Sequence, residues 1–259
     1  MNFNVYVKYL IYFIIILFLY KLLFSYKSIK EHFFDFNNIP KNYNSEITDI
    51  YKSPIKGIPK IIHHICPKDY KKWHNKWFIG YESTLKAFPS PEYTHMYWYD
   101  DELHKFIESE FPWFLNLFNS YDVNIKRIDM IRPFFLYKYG GIYLDMDYIV
   151  YKNFYNNLPE DKVSTPESPY THNKEYIQNA FLCSPPKYNF WLLIIDECYK
   201  HKDEHVFNAS GPQLYTKIYY KYPELVNVLP INQYNPDINN KEAFERTDIY
   251  AKHLLSTSW

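Results

Sequence analysis

The chain has 259 residues, enough for one large domain or two small ones with a packed core. Its 29 Lys and Arg balance 29 Asp and Glu, so no global field draws nucleic acid or acidic partners. Three scattered cysteines, Cys66, Cys183 and Cys198, exclude a disulfide framework and a zinc pattern, and 29 Tyr with 20 Phe beside five Gly fit a coding bias as readily as a function.

In chain order, the run VYVKYLIYFIIILFLYKLLF (residues 5–24) is about one bilayer crossing long, with Lys8 and Lys21 near its ends where they can snorkel. No small-residue cleavage site follows it, so the expectation is an uncleaved single-pass anchor over residues 1–25 rather than a signal peptide. The flanking lysines lean toward a cytoplasmic main domain and leave the side of the membrane open. Residues 26–56 are rich in Asn and Lys and read as a stalk or linker. Residues 57–259 then form the main domain. GIPKIIHHI gives a turn and a buried first strand. A helical stripe follows through Trp73, Trp77, Gly80, Leu85 and Phe88, ended by Pro89. EYTHMYWYD alternates like a strand and closes on Asp100, an expected N-cap for DELHKFIESEF. Ile125, Ile128, Ile131, Phe135 and Tyr139 mark the next helix, with Gly140 as its C-terminal cap, and GIYLDMD is a strand again. Helix alternating with strand predicts a mostly parallel sheet.

Asp145 and Asp147 stand just past GIYL, at the carboxyl end of a strand, where open α/β sheets bind ligands. Residues i and i+2 of an extended chain share a face, and two hard oxygen donors on one face suit Mg²⁺ or Mn²⁺ bound together with phosphates. Gly140 and Gly141 would let the backbone approach a ligand closely. By itself the Asp-x-Asp triplet is also satisfied by a solvated strand end. Asp129 and Arg132, three apart on one helical face, likewise fit a plain surface ion pair.

The context is more specific. The block IKRIDMIRPFFLYKYGGIYLDMDYIVYKNF closely resembles the diagnostic block of family 32 glycosyltransferases, which include yeast-type mannosyltransferases of glycans and of inositol phosphorylceramide. The shared pattern is Asp129, Arg132, an apolar helix, Gly140 and Gly141, a strand, then Asp145 and Asp147. IPKIIHHICP, YTHMYWYDDE, NAFLCSPPKYNFW, SGPQLYTKIY and HLLSTSW resemble further family segments, so the likeness extends over roughly residues 58–259.

The resemblance implies a GT-A type, Rossmann-like α/β domain with a mostly parallel sheet flanked by helices. It implies a retaining, divalent-metal-dependent transfer of a hexose, mannose favoured, from GDP-mannose or a UDP-hexose to a glycan or lipid acceptor on a Golgi- or ER-type membrane. Asp147 would bind Mn²⁺ or Mg²⁺, and Asp145 would contact it through water or hold the ribose and sugar. Asp129 and Arg132 would hold the donor sugar's hydroxyls. His253 and Ser258 would approach the metal and diphosphate, and Trp259 would cover the nucleotide. His63 or His64 would line the nucleotide pocket, although neighbours on a strand point opposite ways. Tyr143, Asn179, Gly211 and Pro212 complete the expected donor site. Pro133 directly after Arg132 and Leu254 in place of a second His depart from the family pattern. Pro in a helix interior costs about 3 kcal/mol unless the helix kinks, which would displace Arg132.

Two other readings compete. A haloacid dehalogenase-type phosphatase opens on a similar Asp-x-Asp, but it needs a downstream acidic pair that does not follow Asp147 here. The other is a membrane-anchored sugar-binding protein that kept the fold and lost turnover.

Overall fold

The Asp-x-Asp segment leaves the middle of a sheet that is buried on both faces. The structure, a computed structural model, describes residues 55–170 and 175–256. The anchor expected over residues 1–25 and all but the last two residues of the linker lie outside the described residues. Among the described residues, no helix is long and apolar enough to cross a membrane.

The elements in chain order are β1 (Ile61–Cys66), α1 (Asn75–Ala87), β2 (Thr94–Tyr99), α2 (Asp100–Glu110), α3 (Leu115–Ser120) and α4 (Asn124–Tyr139). There follow β3 (Gly141–Leu144), β4 (Tyr148–Val150), β5 (Val163–Pro166), β6 (Phe181–Ser184), α5 (Asn189–His201), α6 (Val206–Ala209) and α7 (Pro212–Lys221). The last are β7 (Val226–Leu229), α8 (Ile231–Tyr234), α9 (Lys241–Glu245) and β8 (Ala251–His253). Six strands form one sheet in the order β2-β1-β3-β6-β5-β7, and β4 pairs with β8 in a separate ribbon. In the large sheet β2, β1 and β3 are mutually parallel, and so are β5 and β7. β6 is antiparallel to both its neighbours, so it alone runs against the others. The sheet is therefore mixed and mostly parallel, as the alternation of helix and strand predicts.

All of β3 and β6 is buried, which matches their unbroken apolar sequence. Ile62, Ile142, Leu144, Phe154 and Phe181 are completely buried in the core against the sheet. Along α4 the residues Met130, Ile131, Phe134, Phe135 and Leu136 are equally buried. Trp98 on β2 stacks on Phe135 with centroids 3.9 Å apart, locking α4 against the sheet.

Pro133 does not break α4, which runs without interruption through it. It removes only the N–H that would meet the carbonyl of Asp129. Gly140 caps the helix at φ +63 and donates its N–H to the Leu136 carbonyl at 2.9 Å, as expected. Asp100 is not the N-cap. Tyr99 occupies that position without a side-chain bond, and Asp100 opens the helix, where its charge still complements the helix dipole. α1 begins at Asn75 behind His74, whose Nδ1 accepts from the Lys76 amide, so Trp73 lies outside the helix.

Candidate active site

Leu144 ends β3, and the chain turns at Asp145 through Asp147 before re-entering as β4, Tyr148 N donating to the Asp145 carbonyl at 3.0 Å. The turn rests on α1. A Cβ on Gly80 would meet the Met146 carbonyl oxygen at 2.1 Å and that of Tyr148 at 2.8 Å, so only glycine admits this approach. From the same helix, Ser83 Oγ accepts the N–H of Val150 at 3.0 Å.

Asp145, Asp147 and His253 offer ligand atoms that all lie within 4.8 Å of one another. The third comes from far along the chain because β4 pairs with β8, placing Tyr148 opposite His253. His253 Nε2 donates to Asp147 Oδ1 at 3.0 Å, and the Ser256 N–H donates to Asp147 Oδ2 at 2.6 Å. Burial opposes charge on Asp147, but His253 and the Ser256 amide prevail and hold its carboxyl well below the usual range.

A second cluster adjoins it. Arg132 reaches Asp145 Oδ1 at 2.9 Å with one nitrogen, and with the other it reaches Asp129 Oδ1 at 3.1 Å and the Asn179 carbonyl at 2.9 Å. Its guanidinium lies over the Tyr143 ring, 4.9 Å from the centroid, and Tyr143 OH donates to Asp145 Oδ1 at 2.6 Å. Ser210 Oγ donates to Asp129 Oδ2 at 3.4 Å. Burial raises the Asp129 carboxyl to about 7 in spite of Arg132, and raises that of Asp145, Arg132 opposing and Asp147 adding. An open cleft of about 1150 Å³ is lined by both clusters.

Residues 74–165 match the family model described as a glycosyltransferase sugar-binding region containing DXD motif. This stretch is a DXD glycosyltransferase region. It is 41% identical over 105 residues to inositol phosphoceramide mannosyltransferase 3 of Schizosaccharomyces pombe, covering 40% of this chain and 28% of that one. Mannosyl phosphorylinositol ceramide synthase CSH1 of Saccharomyces cerevisiae is 30% identical over 198 residues, 73% of this chain and 49% of its own. Inositol phosphoceramide mannosyltransferase 1 of S. pombe is 26% identical over 230 residues, 83% and 67% of the two chains. The chain thus spans half or less of the first two relatives. The phosphatase reading finds no support beside these matches.

Within the glycosyltransferase region and its continuation, Asp129, Arg132, Tyr143, Asp145, Asp147, Asn179, Pro212 and His253 all line the one cleft. Pro133 has not displaced Arg132. His63 and His64 are not at the cleft. His63 Nε2 donates to the Gly140 carbonyl at 2.9 Å while its Nδ1 accepts from Trp98 Nε1 at 3.1 Å, and burial lowers it to about 4. His64 Nδ1 donates to the Leu144 carbonyl at 2.8 Å, and burial again lowers it to about 4. His63 ties β1 to β2 and to the cap of α4, and His64 ties β1 to β3, so their value is structural. Gly140 and Gly141 serve packing rather than approach to a ligand. A Cβ on Gly140 would meet Pro186 N at 2.6 Å, and one on Gly141 would meet the Ile61 carbonyl oxygen at 2.5 Å. Gly211 lies off the cleft, its Cβ position blocked by Phe207 Cα at 2.9 Å. Ser258 and Trp259 lie outside the described residues.

Three further residues hold the site together and escaped the sequence reading. Lys76 Nζ donates to the carbonyls of Leu254 at 2.7 Å and Leu255 at 3.1 Å, and Trp77 Nε1 donates to Ser256 Oγ at 3.0 Å. They fasten the segment after β8 to α1. Trp77 and Ser256 both line the cleft. Only pairing over nearly the whole domain could have revealed them. Glu175, buried in the cleft lining and raised to about 6 by burial, is likewise without a sequence signal.

Proposed function

We propose that the chain is a membrane-anchored, metal-dependent, retaining glycosyltransferase of GT-A type. It moves a hexose, with mannose favoured, from GDP-mannose or a UDP-hexose to a glycan or glycolipid acceptor such as a phosphoinositol sphingolipid. The observation that carries this reading is the convergence of Asp145, Asp147 and His253 within 4.8 Å, beside an Asp129–Arg132 pair in the same cleft. The relatives' names support mannose and a ceramide-based acceptor. The apolar run at residues 5–24 supports a single-pass anchor in a Golgi- or ER-type membrane.

The donor set suits Mn²⁺ or Mg²⁺. Two carboxylates are hard ligands, and His253, whose Nε2 faces Asp147 at 3.0 Å, adds an imidazole nitrogen that favours Mn²⁺. When bound there, the ion neutralises the diphosphate that departs with the nucleotide. The chain's own residues do the remaining work. Arg132 fixes both Asp129 and Asp145, so their carboxylates present oxygen acceptors to sugar hydroxyls in one orientation. Because each accepts from Arg132, neither is a free nucleophile, which supports a same-face route through an ion pair over a covalent intermediate. Tyr143 holds the Asp145 carboxylate from below.

The test is donor hydrolysis by the purified chain with Mn²⁺, offering GDP-mannose, UDP-glucose, UDP-galactose and UDP-N-acetylglucosamine in turn. Metal-dependent release of one sugar, absent in Asp147→Ala, supports the transferase and names the donor. Binding of a donor without any turnover, in the presence of candidate acceptors, would favour the sugar-binding protein instead. Cleavage of p-nitrophenyl phosphate with no response to any donor would overturn both.

A further inference from the structure

We propose that residues 67–79, on the rim of the cleft, form a docking surface for an anionic lipid bilayer. The sequence PKDYKKWHNKWFI places Lys68, Lys71, Lys72 and Lys76 among Tyr70, Trp73, Trp77, Phe78 and Ile79. Pro67 and Trp77 face the cleft. Apart from Trp73 and Lys76, the rest is exposed. Tyr70 is 62% exposed, Ile79 50% and Phe78 37%, and Lys68, Lys71 and Lys72 are exposed beside them. Trp73 is held half-buried at the centre, its Nε1 donating to the Pro67 carbonyl at 2.8 Å and its ring 5.4 Å from that of Phe78.

Two features separate this surface from an ordinary solvated turn. Three large apolar side chains, Tyr70, Phe78 and Ile79, stand exposed within ten residues, with Phe78 in ring contact with Trp73, where monomeric surfaces usually scatter them. The charges also run against local helix electrostatics: the first turn of α1 has no acid, although acids are favoured there, while three lysines fall at or just before it. Lys76 has an internal use on the Leu254 and Leu255 carbonyls. Lys68, Lys71 and Lys72 belong to the outer face. The segment's single acid, Asp69, accepts from the Lys71 amide at 3.0 Å. Outside the segment, burial and Asp101 raise the Asp100 carboxyl at the start of α2, and Lys72 is close enough to oppose that rise.

Rings at headgroup depth with ammonium groups between lipid phosphates are the chemistry of a membrane interface. A long polyanion would find no wider positive field on a chain of net charge zero and no use for Phe78 and Ile79. The surface would bring the cleft mouth against the bilayer. This holds whatever sugar the cleft carries.

The experiment attaches an environment-sensitive fluorophore to Ile79→Cys in the full chain, the three native cysteines being buried. Vesicles of phosphatidylcholine with phosphatidylserine should shift its emission to the blue, and phosphatidylcholine alone should not. Reading Ile79 rather than partition of the whole chain keeps residues 5–24 from deciding the outcome. Lys71→Gln and Lys72→Gln should each weaken the response about fivefold. Hydrogen exchange over residues 67–74 of the unlabelled chain should slow on the same vesicles. No emission change, an equal change on neutral vesicles, or an equal change with heparin in place of lipid would each overturn the proposal.

Discussion

A Cβ on Gly80 would lie 2.1 Å from the carbonyl oxygen of Met146, so a glycine in the middle of α1 sets how close the Asp-x-Asp turn sits to the helix. Glycine in a helix interior ordinarily costs about 1 kcal/mol relative to alanine. Here the exchange runs the other way. Gly80→Ala should destabilise the chain by about 2–3 kcal/mol, within the range of buried steric clashes. Thermal melts would register this as a fall on the order of 5–10 °C, and an unchanged melting temperature would mean that the turn is free to move off the helix.

Arg132 lies between two carboxylates that are themselves mostly buried. Removing it leaves both without their cation, and breaking a buried pair in this way costs about 3–5 kcal/mol against about 1 kcal/mol or less for an exposed pair. Arg132→Ala should therefore fall in the higher range by chemical denaturation. Arg132→Lys should recover part of the stability and little of the donor turnover, because one ammonium cannot reproduce the fork that meets Asp129 and Asp145 together.

Two opposing effects shape stability against pH. His63 and His64, ordinarily near 6.5, are held near 4 by burial, so the unfolded chain takes up protons that the folded one refuses. Their contribution is present above about pH 6.5 and lost as pH falls toward about 4. Asp129 is raised from 3.8 to about 7, so its contribution is present below about pH 4 and lost as pH rises through about 7. Asp129→Asn should flatten the decline above pH 4 and leave the acid limb in place, whatever offset the lost ion pair adds. His64→Asn should shallow the acid limb. Melting temperature across pH for the three chains checks both signs.

Chelation should abolish donor turnover and, because Asp145, Asp147 and His253 draw on β3 and β8, lower the melting temperature in proportion to bound ion. His253→Ala should weaken Mn²⁺ binding while Asp147→Ala removes it. Asp147→Asn should lower turnover by about 10²–10³, the scale of losing one charged contact to a leaving group. Titration calorimetry with Mn²⁺ separates the metal effect from the catalytic one.

How much of this could be read from the sequence depended on distance along the chain. The strand–carboxylate block, the α4 stripe and its Gly140 cap were legible because the signals lie within one or two turns of each other. Arg132 beside Asp129 was legible for the same reason. The resemblance implied that His63 or His64 lines the nucleotide pocket, whereas both are buried on backbone carbonyls, since a strand pattern gives alternation but not what lies on either side. The paired glycines were assigned to a ligand when in fact Pro186 and Ile61 need the room. Lys76 and Trp77 carried no local mark, because their partners, Leu254 and Ser256, are nearly the whole domain away. The reversed direction of β6 was equally hidden, since hydrophobic pattern does not record strand sense.

The β4–β8 ribbon has a consequence for how a molecule becomes competent. Tyr148 pairs with His253, and a slip of one residue in that register would turn His253 to the opposite face, away from Asp147. Forming the ribbon also requires closing a loop of about a hundred residues to bring β8 onto β4. A folding intermediate with a complete six-stranded sheet would still lack its third ligand. On the proposed metal-dependent reading, ion binding would therefore select chains in which β8 has paired with β4 in this register.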